Sequence, residues 1–181
     1  MTEWMQELIL LAEAEFHARR IIATLATVDS QGNPRARTVI VRWFDEPHDT
    51  IWMATDSRSM KIAHLLAKPE AELVFWALQE RQQFRVYGRM EIVEKGSARQ
   101  DIWEALNDAS RALFFGPPPG EPRRAEDVFP PTISVDVPPP ETFILLGLKP
   151  TEVESLELNE FPHRRRRWRE AGGWKVELLN P

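Results

Sequence analysis

The chain has 181 residues, 43% of them hydrophobic, no cysteine and a formal net charge of −5. That size supports one sizeable core, so a single domain over 1–181 is expected, and the absence of cysteine excludes a disulfide framework, a thiolate nucleophile and a cysteine-based metal site. The negative balance argues against a general nucleic-acid binder, whose domain is usually basic overall. Residues 1–20 are acidic and amphipathic, and no run reaches the roughly 18 apolar residues of a membrane span, so a cytoplasmic protein without membrane contact is expected.

Met5, Leu8, Ile9, Ala12 and Phe16 recur at helical spacing and predict a first helix ending near Arg19-Arg20. Two β-rich runs, Ile21 to Val28 and Arg35 to Arg42, flank the turn residues Asp29-Ser30-Gln31-Gly32-Asn33-Pro34 and predict a hairpin. The second run carries Arg35, Arg37 and Arg42, which a strand facing an ordinary core does not bury without a partner, so an anionic ligand is implied. Strand alternation puts Arg37 and Arg42 on opposite faces, and one ligand can touch both only through a bulge, strong twist or a dimer interface.

Thr50 to Thr55 predicts a third strand. Asp56-Ser57-Arg58-Ser59 then leads into a short helix lined by Ile62, Ala63, Leu65 and Leu66 and stopped at Lys68-Pro69, with Ser59 as its N-cap. Free N–H groups and the positive dipole end make that helix start an anion site, reinforced by Arg58 and Lys61; a plain serine cap beside solvated charges is the alternative.

Ala71 to Leu78 and Gln83 to Glu94 predict two more strands about a turn at Gln79-Glu80-Arg81-Gln82. Ser97 opens a helix with Ile102, Trp103, Leu106, Ser110, Leu113 and Phe114 on one face. From Gly116 to Pro140 the chain is proline-rich, too long for an ordinary connection, and is either a disordered linker or a functional loop, with Phe129, Ile133 and Val135 as its anchors. Thr142 to Leu148, Val153 to Leu158, His163 to Arg169 and Trp174 to Leu179 resume strand patterning. Short strands in immediate succession imply an antiparallel sheet that can close into a barrel. Of the 23 basic residues 18 are arginine, the side chain whose planar fork suits phosphate and carboxylate, and five of them lie between Arg164 and Arg169.

Four stretches together carry a family resemblance: Arg37-Thr38-Val39-Ile40-Val41-Arg42; Thr55 through Ser59 to Lys61; Glu80-Arg81-Gln82-Gln83; and His163-Arg164-Arg165-Arg166-Arg167-Trp168 followed by Trp174-Lys175-Val176. In this order the chain resembles the pyridoxamine 5′-phosphate oxidase-related FMN-binding proteins. The resemblance implies a mainly β fold, an antiparallel split β-barrel with flanking helices, and a homodimer with FMN at the subunit interface. It implies that Arg37, Ser59 and Lys61 hold the FMN phosphate and that Val39, Ile40, Val41 and Arg42, with Thr55, lie along the isoalloxazine ring. It further implies that Gln83 and Arg167, from the partner subunit, complete the flavin pocket. A deazaflavin or haem, which similar barrels bind, stays open as the cofactor.

The chain departs from the oxidase pattern at Met60, where the family often has arginine, and at Leu156, where an aromatic residue usually lies against the flavin. The family's Arg-x-His substrate signature is in effect reversed, its positions falling at His163 and Arg165. The resemblance therefore implies an FMN-dependent oxidoreductase acting on a small anionic substrate held by Arg42, Arg111, His163 and Arg165, with no protein nucleophile required. Genuine pyridoxamine/pyridoxine 5′-phosphate oxidation, a flavin-binding module without turnover, and nucleic-acid binding through the arginine run are the alternatives. Seven tryptophans and nine phenylalanines in 181 residues exceed what one small barrel readily hides, which favours an aromatic-rich interface between two copies.

Overall fold

The chain was described as a computed structural model covering residues 1–16 and 20–181. Helix α1 (Glu3–Phe16) buries Trp4, Met5, Leu8, Leu11 and Ala12, one stripe of a 3.6-residue period. Its expected end near Arg19-Arg20 falls partly outside the described residues. Strands β1 (Ile21–Val28) and β2 (Pro34–Asp45) form the expected hairpin. Its turn is closed by Asp29, whose Oδ1 accepts the backbone N–H groups of Gln31 at 3.0 Å and Asn33 at 2.9 Å, while Gly32 supplies a φ of +89°. Arg35 belongs to this turn, its Nε donating to Asp29 at 3.0 Å.

Next come β3 (Thr50–Asp56), α2 (Met60–Ala67), β4 (Glu70–Ala77) and β5 (Gln82–Val93). After them follow α3 (Ser97–Ala105), α4 (Asp108–Ala112), β6 (Phe143–Glu157), β7 (Arg164–Arg169) and β8 (Val176–Leu179). The strands lie in the order β3-β2-β1-β4-β5-β6-β7-β8, and an added β3–β6 pairing closes β1 to β6 into a six-stranded antiparallel barrel. The two runs expected at 142–148 and 153–158 are one strand that forks: Phe143–Leu148 pairs with β3, and Glu152–Glu157 with β7. Pro150 is tolerated inside it because the β5–β6 register shifts at Tyr87/Gly88. Gly88 is required there, since a Cβ would stand 2.1 Å from the Lys149 carbonyl oxygen.

Inward residues of the barrel, among them Leu25, Val41, Ile51, Leu73, Phe84, Val86 and Leu146, pack with Trp4, Met5 and Leu8 of α1 and Ile62 and Leu65 of α2. A second cluster, Trp52, Ile102, Trp103, Leu106, Phe114, Phe143 and Leu145, joins the barrel wall to the helices. The single helix expected from Ser97 breaks in two because Asn107 caps α4, its side chain accepting from the Ser110 N–H at 2.8 Å. Phe114 thereby turns back onto Trp103 and Phe143, while Leu113 is left 72% exposed.

The proline-rich segment is a packed loop, not a loose linker. Prolines carry no N–H, so the segment offers carbonyls, and donors come to it from outside. Trp103 Nε1 donates to the Val137 carbonyl at 2.8 Å, Arg111 Nε to Ile133 at 3.0 Å and Arg58 Nη2 to Gly116 at 3.0 Å. Of its expected anchors only Ile133 packs on a core; Phe129 stays 54% exposed and Val135 44%. The tryptophan surplus is also largely absorbed within the chain, where Trp4, Trp52, Trp103 and Trp168 are buried.

Candidate functional site

The β2–β3 ladder begins only at Val41↔Met53, so the part of β2 before Val41 has no β3 partner. The end of β3 pairs instead with β6, through Thr55↔Ile144 and Asp56↔Phe143. The two strands therefore diverge, and the β2 edge around Arg37 to Ile40 keeps backbone N–H and C=O groups unpaired on that side, an arrangement that invites a ligand.

At this opening the chain gathers cations. Arg37 shares the inward face of Val39 and Val41; its Nη1 donates to Thr27 Oγ1 at 2.7 Å and to the Leu25 carbonyl at 3.2 Å. Lys61 Nζ donates to Ser59 Oγ at 2.6 Å and to Thr55 Oγ1 at 2.8 Å. Ser59 is the N-cap residue of α2 by position but makes no side-chain cap bond, because its hydroxyl is engaged by Lys61. Of the first-turn N–H groups, that of Ile62 donates to the Ser59 carbonyl at 2.9 Å, and those of Met60 and Lys61 are left for a ligand. Burial, and then the Arg37 charge, lower the Lys61 pKa from its ordinary value, and burial followed by the Arg35 charge lowers that of Arg37. Neither cation lies within salt-bridge distance of a carboxylate among the described residues, although Arg35, Arg58, Arg85, Arg89 and Arg165 all do. Asp56, whose charge acts on Lys61, is taken by Arg58, which forks onto it through Nε at 3.0 Å and Nη2 at 2.6 Å. Arg58 is therefore committed, and Met60 beside it is 66% exposed. Two half-buried cations held only by neutral acceptors, beside an uncapped helix start, form a donor set that fits a dianionic phosphate.

Thr55, Asp56, Ser59 and Lys61 form one wall of a cavity of about 660 Å³. Residues of α4 and the loop from Gly116 to Pro131 make the remainder, including Arg123, which lies over the Phe129 ring at 4.9 Å. The bond from Arg58 to the Gly116 carbonyl ties this roof to the phosphate-type cluster below.

The structure does not bring Arg42 into this cluster. The β2–β3 register slips between Val41 and Trp43, making Arg42 the bulge residue, and it lines a separate 170 Å³ pocket with Arg20, Ile21, Ile40, Ile102, Ala105 and Leu106. Its Nε is buried and has no partner among the described residues; burial, and then the Arg20 charge, lower its pKa. Arg111 is 3% exposed, and its guanidinium holds the carbonyls of Trp103, Leu106 and Ile133 together with Asp108, which makes it a brace between α3, α4 and the loop.

Gln83 and Arg167 lie on the outer barrel face, in the rows Trp76–Gln83–Leu156–Arg165 and Arg85–Glu154–Arg167–Glu177. Arg165 pairs with Glu154 at 2.6 Å and Arg167 with Glu177 at 2.9 Å, so the arginine row is neutralised within the chain. Arg166 faces the other way, is 5% exposed and bridges Glu7 and Glu157, each at 2.6 Å. His163 stands beside the Glu160 carbonyl, its Nδ1 3.0 Å away. Sequence reasoning missed Thr27 and His64 at the Arg37 cluster and Arg20 beside Arg42. For His64 a signal exists, since it follows Lys61 by three residues and so shares its helix flank.

Comparison with known proteins gives the geometry its context. A family model described as pyridoxamine 5′-phosphate oxidase, FMN-binding domain, matches residues 1–94. Pyridoxine/pyridoxamine 5′-phosphate oxidase 2 of Arabidopsis thaliana is 34% identical over 166 residues, which cover 86% of this chain and 83% of the plant protein. The pyridoxine/pyridoxamine 5′-phosphate oxidase of Chromohalobacter salexigens is 44% identical over 75 residues, 41% of this chain and 33% of that enzyme. The match thus spans about a third of the bacterial protein's length. Among solved structures, a pyridoxamine 5′-phosphate oxidase-related, FMN-binding protein of Nostoc punctiforme superposes with a TM-score of 0.89 at 29% identity, covering 100% of this chain and 99% of that one. PhzG from Burkholderia lata, solved with tetrahydrophenazine-1-carboxylic acid, shares the fold at a TM-score of 0.81 and 21% identity, over 100% of this chain and 94% of its own.

Proposed function

The chain belongs to the pyridoxamine 5′-phosphate oxidase FMN-binding family and FMN is its cofactor; on that premise we propose that it is an FMN-dependent oxidoreductase acting on a small anionic substrate. The observation that carries the reading is the pair of half-buried cations, Arg37 and Lys61, whose side chains have only neutral acceptors. In this reading they hold the FMN phosphate with Ser59 and Thr55, and the open β2 edge at Val39 and Ile40 lies along the ring system. Bound FMN supplies the hydride acceptor, its N5. The chain's own residues orient that ring, limit water around it and hold the substrate's charge.

We assign the substrate's anionic group to the second pocket. Arg42 and Arg20 line it against apolar walls, and among the described residues no carboxylate lines it and the buried Arg42 Nε has no acceptor. Arg165 is bound to Glu154, and Arg111 has most of its donors on backbone carbonyls, so neither offers comparable free donors. Pyridoxine 5′-phosphate oxidation is the competing reading, favoured by the plant relative's identity. The test is anaerobic bleaching of bound flavin by pyridoxine 5′-phosphate and by a panel of small phosphates and carboxylates. Bleaching by at least one other anion and not by pyridoxine 5′-phosphate is expected. Turnover of pyridoxine 5′-phosphate on the order of one per second, an ordinary enzyme rate, would establish the competing reading. No bleaching by any anion would sink the oxidoreductase and leave a flavin-binding module.

We further propose a homodimer with the flavin between subunits. Arg37 lies in the inward row Arg37–Leu25–Leu73–Val86, whereas Gln83 and Arg167 face outward. Three inter-strand spacings of about 4.8 Å put the barrel wall, roughly 14 Å of it, between Arg37 and β5, so one ligand touching both sets needs the second set from another copy. The outer face also exposes Ile22 at 43% and Trp76 at 42%, an apolar strip suited to a second copy. Sedimentation of the FMN-loaded protein at micromolar concentration should give a dimer; a monomer with flavin fully bound removes this assignment.

A further inference from the structure

Helix α2 does not bury the face that its apolar pattern suggests. Ile62 and Leu65 are inside, but Leu66 is 74% exposed, and the third buried side chain is His64 at 8%. His64 Nδ1 lies 3.2 Å from Thr27 Oγ1 and 3.4 Å from Arg37 Nη2. A guanidinium has donors only, so an Nη2 hydrogen directed at Nδ1 requires a lone pair there, which places the imidazole proton on Nε2. Thr27 completes the arrangement: its hydroxyl accepts from Arg37 Nη1 at 2.7 Å and has the Arg35 carbonyl at 3.5 Å for its own hydrogen, so the single Nδ1 lone pair is left to Arg37.

The five N–H bonds of Arg37 then divide into two sets. Both Nη1 hydrogens are used, by Leu25 and Thr27, and one Nη2 hydrogen is used by His64. What remains is Nε–H and the other Nη2–H, the parallel pair along one edge of the guanidinium, the same edge by which Arg58 grips Asp56. Such an edge matches two oxygens of a phosphate.

Building on the phosphate reading above, we infer that His64 is a positioning residue: as a neutral acceptor it fixes the rotation of Arg37 so that the Nε/Nη2 edge is presented to the cofactor phosphate. Its contribution is preorganisation, since a guanidinium already locked in its bound orientation loses less freedom when the anion arrives. A charge at His64 would do the opposite, removing the acceptor and adding a third cation beside Arg37 and Lys61. His64 itself does not touch the cofactor in this account.

The test measures the ratio of riboflavin to FMN dissociation constants for the full chain and three variants. His64→Leu removes the acceptor, His64→Gln keeps a polar side chain but moves its oxygen away from the Nδ1 position, and His64→Asn places a carbonyl oxygen close to it. Leu and Gln should each lower the ratio about tenfold, the scale of one weakened charge-assisted hydrogen bond, while riboflavin affinity stays near wild type and thereby reports an intact fold. Asn should restore most of the ratio. If the wild-type ratio is large and none of the variants changes it, or if Asn loses as much as Leu and Gln, His64 is ordinary core. A wild-type ratio near one would instead overturn the phosphate assignment on which this inference rests.

Discussion

Replacing Arg37 and Lys61 together by alanine should weaken FMN at least a hundredfold and leave riboflavin nearly unchanged. Each removes a contact to a charged phosphate, worth about 1.5–3 kcal/mol, so the pair is worth roughly 3–6 kcal/mol, or about two to four orders of magnitude in affinity. The asymmetry arises because these two cations are held without a carboxylate: Arg37 on Leu25, Thr27 and His64, and Lys61 on Thr55 and Ser59. In the free protein they gain little from their neutral neighbours, and burial, which lowers the pKa of both, has already cost them water. Their removal therefore costs the fold little and the phosphate a great deal. Fluorescence titration with both ligands checks it, and equal weakening of FMN and riboflavin would refute the phosphate assignment.

Trp103→Ala should be the most damaging single truncation outside the barrel interior. Trp103 is fully buried, packs on Phe114, Phe115 and Phe143 with centroids between 4.9 and 6.3 Å, and donates through Nε1 to the Val137 carbonyl at 2.8 Å. Losing a large aromatic from such a site costs about 3–5 kcal/mol, a fall in Tm of roughly 6–20 °C for a chain of this length. Because this ring links α3, α4, β6 and the proline-rich loop, the damage should also loosen the roof of the larger cavity, whose wall includes Phe114. Calorimetry on wild type, Trp103→Ala and Trp103→Phe separates the effects; Phe should recover most of the packing while leaving the Val137 carbonyl without its donor. A shift of only one or two degrees for the alanine variant would mean that the second cluster is not a cooperative part of the fold.

The strands, the β1–β2 hairpin and the short helix after Ser59 were legible because each rests on contacts within a few residues: alternation of apolar side chains, an Asx turn at Asp29, and Pro69 just past α2. Local reasoning marked the arginines of the hairpin strand and the helix start at Ser59, with Arg58 and Lys61, as anion sites, and the family resemblance singled out Arg37, Ser59 and Lys61 among them; the structure places these three in one neighbourhood. Periodicity failed where a single residue breaks the count. The bulge at Arg42 moves it into its own pocket, and the cap at Asn107 divides one expected helix into α3 and α4.

Charge was the least legible property. The arginines from Arg164 to Arg169 look like a free cationic run, yet Arg165, Arg166 and Arg167 find Glu154, Glu7 with Glu157, and Glu177. Of these partners Glu7 lies 159 positions away in the chain. The proline-rich loop likewise looks unstructured, because the bonds that tie it to the rest of the fold come from donors outside it, among them Arg58, Trp103 and Arg111. Amino-acid order alone thus determined the elements, their sequence along the chain and the residue types able to meet a phosphate. Which cations are neutralised, which stay without a carboxylate, and that His64 stands against Arg37 were decided only by barrel closure. A charge acts on whatever lies within a few ångströms in space, and that neighbourhood exists only once the strands have been ordered and closed.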